Sequence, residues 1–280
     1  MYYVMLTVVC YTISSLGDKY ISSKLKCTPP EFAFIVSFAT MIWIGVLIPF
    51  TGWKFVFTVQ NMFFLLSLVV WKIMEFYTSA VLLKTVSAYE LKAWLGINIA
   101  CSYYYNTIQG VYRWNLWVVV FTFMLLAGII MIVQGQTASE EAFPVSKKRL
   151  CILFLLFIAS KFLYGLTMGQ MTECKTTSVL FLVMLFTALM QLKKVKIKEL
   201  TGRKGMTGAF LTRIPNAAGL ILEAFAAMES LFLYAMIQPI QLALLFIVSL
   251  VKKEAMGKKK LTGSLICIFA VCAITVLISA

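Results

Sequence analysis

Apolar residues run along the chain in long stretches. They show neither the alternation of a strand nor the single stripe of a surface helix. Ten stretches approach the roughly 20 residues that a helix needs to cross a bilayer: 1–21, 31–50, 62–83, 89–108, 116–134, 150–168, 178–192, 209–227, 228–251 and 261–279. The seventh is short, and only Glu229 and Ser230 divide the eighth from the ninth, so the pattern fits nine or ten spans. The predicted fold class is all-α integral membrane, with about ten transmembrane helices. The first stretch has no basic leader and no small-residue cleavage site, so it reads as a span and not as a signal peptide.

Composition agrees with lipid as the solvent. Hydrophobic residues make up 61% of the chain and charged residues 13%, against about 45–50% and about 25% in soluble domains. None of the cysteines forms a CxxC pair, which argues against a disulfide framework or a zinc site. The chain has no histidine, so His-based triads and His metal sites are excluded. We therefore expect no catalytic residues, no metal, no cofactor and no enzymatic activity. The net charge of +14 does not point to nucleic acid, because no soluble domain is there to carry such a site. In a membrane protein it points to basic loops facing anionic lipid headgroups.

Those loops predict an orientation. Alternate loops separate into a side carrying Lys19, Lys24, Lys26, Lys84, 147–149, the basic tract from Lys193 to Lys204 and the lysines from Lys252 to Lys260, and a side carrying only Lys54, Arg113 and Lys175. The first side is expected in the cytoplasm. With ten spans both termini then lie outside, and the expected location is a bacterial inner membrane.

The polar break at 136–149 divides the chain into 1–138 and 139–280, each with five spans. Five is odd, so a repeat would be inverted in the membrane, as in many transporters. A constant shift carries Lys72–Ile73 onto Arg213–Ile214, Glu75 onto Asn216 and Asn98 onto Pro239. The coincidence of interest is a basic group inside each of two related helices.

Charged groups within a span are costly and tend to face a cavity or a partner. Lys72 and Glu75 share a helix face and are placed to neutralise each other. Arg213, Asn216 and Glu223 also fall on roughly one face. Glu90 reads as interfacial and Lys92 lies a turn deeper. Asn98 sits near the middle of its span, while Tyr103, Tyr104 and Tyr105 suggest an interfacial belt. Lys161 has no acidic neighbour in sequence, so it should face water, a carboxylate from another helix or an anionic ligand. Gly165 and Gly169 beside it have a helix-packing spacing. Pro215 and Pro239 should interrupt their helices, and Gln238 and Gln241 flank the second. The candidate substrate-binding set is Lys72, Glu75, Lys92, Asn98, Lys161, Arg213, Asn216 and Gln238.

Two segments resemble the drug/metabolite transporter superfamily in its ten-span, duplicated form. One is Leu82-Leu83-Lys84-Thr85-Val86-Ser87-Ala88, followed by a span, a short loop at 113–115 and Gly128. The other is Gln238-Pro239-Ile240 through Lys253-Glu254 to Leu261-Thr262-Gly263. This looks like a proline, acidic loop residue and glycine pattern closing each half, with Asn98 and Arg113 departing from it in the first. Tyr89-Glu90-Leu91-Lys92 is similar to the nucleotide-sugar branch, whose ninth-span lysine is missing here. The resemblance implies two inverted five-helix repeats around a central cavity, taking a small-molecule substrate by alternating access within the lipid bilayer. A small polar or anionic metabolite, amino acid-like or bearing phosphate or carboxylate, is the expected cargo, with proton or ion coupling and a homodimer as possible partners. A lipid flippase or drug exporter of the same fold is the alternative.

Overall fold

A computed structural model describes residues 2–134, 147–229, 231–252 and 257–279. Every element among them is helical. Helix α1 (Tyr2–Lys19) continues into a π-helical segment (Tyr20–Lys24). Then come α2 (Pro29–Thr51), α3 (Val59–Thr85), α4 (Ala88–Ile108), α5 (Leu116–Gln134), α6 (Lys147–Gly169) and α7 (Thr176–Leu192). Two short helices follow, α8 (Ile197–Thr201) and α9 (Met206–Leu211), before α10 (Arg213–Glu229), α11 (Leu231–Val251) and α12 (Lys258–Ser279).

Local sequence sets the starts. A capping box of Thr28 and Glu31 opens α2 behind Pro29, and Ser87 with Glu90 does the same for α4. Gly52 ends α2 at φ 76°, a left-handed turn suited to glycine. Among the described residues, five helical stretches are long and apolar enough to cross a membrane: Pro29–Thr51, Val59–Thr85, Leu116–Gln134, Arg149–Gly169 and Lys258–Ile278. Thr176–Leu192 and Ile237–Val251 are apolar but shorter. Helices α1, α4 and α10 carry more polar side chains, Asp18, Glu90, Lys92, Asn98, Arg213 and Glu223 among them. Length and apolarity alone thus single out fewer spans than the ten stretches predicted. These helices are compatible with a multi-pass membrane protein.

The chain divides into two compact units. One is Met1–Thr12, Val86–Phe143 and Leu222–Ala280; the other is Ile13–Thr85 and Pro144–Ile221. Each draws on both halves of the sequence. The predicted border between repeats, at 138 and 139, lies outside the described residues.

In the first unit α5 packs along α12 with almost no side chain between them at one point. A Cβ on Gly263 would lie 2.7 Å from the Gly128 carbonyl oxygen, and one on Gly128 would lie 2.9 Å from the Gly263 oxygen. Gly96 of α4 makes room for the Val271 side chain of α12, whose Cγ2 would lie 2.7 Å from an added Cβ. Tyr103 is buried. Its hydroxyl donates to the Arg113 carbonyl at 2.8 Å and accepts from the Asn115 N–H at 2.7 Å, which fixes the α4–α5 loop. In the second unit α2 lies along α7 and α3 along α6. The Tyr77 hydroxyl donates to Gln191 at 2.7 Å, tying α3 to α7. Ser22 donates to the Ala80 carbonyl and Lys19 to that of Leu83, seating the end of α1 on α3.

The glycine spacing at Gly165 and Gly169 does not mark a packing seam, because a Cβ at either position meets open space. Gly128 and Gly263 form the close seam instead. Gly263→Leu is expected to cost about 1–3 kcal/mol through overpacking, seen as a melting temperature several degrees lower for the purified protein in detergent. Gly165→Ala should leave it unchanged or raise it.

A buried charge cluster on α3 and α6

Lys72 and Glu75 stand one turn apart in the middle of α3, and their spacing produces the pair it predicted. Lys72 Nζ lies 2.9 Å from Glu75 Oε2. The other carboxylate oxygen, Oε1, lies 2.6 Å from Lys161 Nζ on α6. Lys161 thus has the carboxylate from another helix that its isolation in sequence called for. The Lys72 and Glu75 side chains are 9% and 8% exposed, against 30% for Lys161.

Aromatic rings flank the cluster. Lys72 Nζ sits 4.3 Å from the centre of the Tyr164 ring and 5.3 Å from that of Phe76, within range of cation–π attraction. Tyr164 packs with Ile44, Leu180 and Ala217. Its hydroxyl is buried with no hydrogen-bond partner among the described residues. Two ammonium groups face one carboxylate, so the cluster carries one excess positive charge. An ammonium has three donors, and Lys161, the most exposed of the three groups, is the one placed to offer a spare donor to an anion.

Arg213 and Asn216 lie in the same unit but serve α1. The Arg213 side chain is 1% exposed, and its Nη1 pairs with Asp18 Oδ1 at 2.8 Å. Nη2 donates to the Ser14 carbonyl at 3.0 Å. The Ser14 hydroxyl donates to Asn216 Oδ1 at 3.2 Å. Gly17 permits this approach, since a Cβ there would lie 2.7 Å from Thr212 and 2.9 Å from Arg213 Nη2. The predicted interruption near Pro215 falls at Thr212, between α9 and α10. Pro215 itself occupies the first turn of α10, where its missing N–H costs nothing. Pro239 lies within α11, which continues through it. Glu223, which shares a helix face with Arg213, accepts from the Tyr11 hydroxyl in the other unit.

Lys92, Asn98 and Gln238 also belong to that other unit. Lys92 and Gln238 are half-buried. Asn98 Oδ1 is buried without a hydrogen bond among the described residues. Glu90 is buried; it caps α4 and lies 3.1 Å from Lys260 Nζ of α12. Asp18 escaped the sequence reading, although a carboxylate inside the first apolar stretch was the signal for it. The side-on role of Tyr164 had no signal beyond its closeness to Lys161. Among the described residues no group of histidine, cysteine, aspartate and glutamate side chains is arranged to hold a metal ion.

Glu75→Gln leaves the buried Lys72 and the part-exposed Lys161 ammonium groups uncompensated, and loss of one member of a buried pair costs about 3–5 kcal/mol. Lys161→Met leaves the Lys72–Glu75 pair intact at a more exposed position and should cost less. Thermal unfolding of the two purified variants measures that order, and equal losses would show that Lys161 is held as tightly as Lys72. No protein-family model matches the chain and no curated protein matches it, which leaves these side chains as the ground for a functional reading.

Proposed function

We propose that the protein is a secondary transporter moving a small polar or anionic metabolite, amino acid-like or bearing carboxylate or phosphate, by alternating access. The observation that carries this reading is the buried Lys72–Glu75–Lys161 cluster, with its excess positive charge and its part-exposed Lys161. Ionisable groups inside an apolar bundle are expensive and mark substrate or ion pathways. A substrate carboxylate or phosphate takes the spare donors of Lys161, a substrate amine faces Glu75, and Glu75 is the group available for proton coupling.

Two features support two inverted five-helix repeats of the drug/metabolite transporter kind. Helices α6, α7, α9 with α10, α11 and α12 follow one another in the order and spacing of α1 to α5. The ion pairs also correspond: α3 meets α6 through Glu75 and Lys161, and α10 meets α1 through Arg213 and Asp18. Exchanging the halves turns one pairing into the other. In this reading ten helices cross a bacterial inner membrane with the basic loops in the cytoplasm.

A thermal-shift screen of the purified protein against a metabolite library tests the proposal. A ligand at a hundred times its dissociation constant stabilises by about 2.7 kcal/mol. Carboxylates or phosphates are expected to raise the melting temperature, with the rise lost in Lys161→Ala and kept in Lys161→Arg. Stabilisation by lipid-linked compounds alone would make it a flippase instead. In proteoliposomes Lys72→Ala and Arg213→Ala are expected to lose uptake of the ligand so found, and full uptake by both would sink the site.

A further inference from the structure

Away from the charge cluster, α2 and α7 leave a groove of about 200 Å³ between them on the surface of their unit. Phe34, Phe38 and Met41 form one wall, and Ala188, Leu189 and Leu192 line the other. The Phe34 and Phe38 rings stack with centres 5.4 Å apart, making a flat apolar slab. Phe38, Leu189 and Leu192 are exposed. No polar side chain lines the groove.

One end of this groove is strongly basic. The residue after Leu192 is Lys193, the C-cap of α7, and Lys194, Lys196 and Lys198 follow, all exposed. Lys196 pairs with Glu199 at 3.0 Å. Among the described residues nothing pairs with the side chains of Lys193, Lys194 or Lys198. The tract is held in place. Val195 and Leu200 are buried beneath it. Arg203 then reaches the first turn of α2, with Nη2 2.8 Å from Glu31 Oε1 and Nη1 3.4 Å from the Leu25 carbonyl. Desolvation works against the Arg203 charge, but the hydrogen bond and charge of Glu31 outweigh it and raise its pKa, so the clamp stays charged. Phe34 lies one turn beyond Glu31, so the clamp and the basic tract mark the same end of the groove.

We infer that this groove and the lysines at its end form a binding site for an anionic phospholipid, with an acyl chain lying between α2 and α7 and the headgroup phosphate on Lys193 and Lys194. An apolar groove on a membrane helix pair accepts any acyl chain. The uncompensated lysines at its mouth supply the selectivity, because each lysine near an anionic headgroup is worth about fivefold in affinity. The inference depends on the protein lying in a bilayer and is independent of what it transports.

Native mass spectrometry of the full-length protein in detergent tests it, with phosphatidylglycerol, phosphatidylcholine of the same chains, and inorganic phosphate as probes. Phosphatidylglycerol is expected to stay bound, and the other two to be lost. The double variant Lys193→Ala/Lys194→Ala should weaken phosphatidylglycerol binding by about twentyfold. Leu189→Trp, which blocks the groove and keeps every lysine, should also lose it; if that variant does not fold, Leu192→Trp takes its place. Ile152→Trp, on an exposed apolar face of α6, should bind as the parent does. Equal retention of phosphatidylcholine, or equal binding of free phosphate, overturns the site. So does a groove variant that binds like the parent, since attraction to surface charge alone would then suffice.

Discussion

A carboxylate in an apolar bundle has to be answered by positive charge, and Glu75 is answered twice. Its two oxygens engage two different lysines, one from its own helix and one from α6. Much of the second unit is arranged around that requirement. Helices α3 and α6 run side by side, which brings Lys161 to Glu75. Tyr164, a turn further along α6, then covers the face of Lys72 that the carboxylate leaves free. The arrangement is over-supplied with positive charge by one, and that surplus makes it interesting as a site and not merely as a brace. An ion pair serving packing alone needs one cation for one anion.

Arg213 solves the same physical problem differently. Its guanidinium is almost wholly enclosed by α1, with a carboxylate, a main-chain carbonyl and a neighbouring hydroxyl as partners. That environment leaves the Arg213 side chain 1% exposed, against 30% for the Lys161 side chain. Lys72 and Arg213 are both enclosed, and the more exposed cation is Lys161. Under the transporter proposal, a substrate would reach α6 more readily than α10.

Much of the helical architecture was legible in the chain, because an apolar run in a membrane protein has few options other than a helix. The interruption before α10 followed from Pro215, and the Lys72–Glu75 pair from a spacing of one turn. Contacts between distant segments were less legible. Asp18 and Arg213 lie far apart in sequence, and no local pattern says that Gly17 will let their helices meet. Glu90 looked interfacial because it stands at the start of a helix; only the arrival of Lys260 shows how it is buried. The glycine spacing on α6 had the form of a packing motif without a neighbour to pack against. The glycines that do touch, Gly128 and Gly263, come from different halves; the pattern that names them both says nothing of their meeting.

The seam between those two glycines also bears on biosynthesis. Helix α5 is made long before α12, and the whole of the second unit's contribution from α6 to α9 leaves the ribosome between them. Until α12 has been made, the backbone of α5 at Gly128 lacks the close partner that Gly263 supplies. The first unit is thus a late assembly, completed only when the last described helix closes on a surface that has been waiting since the first half of the chain was synthesised.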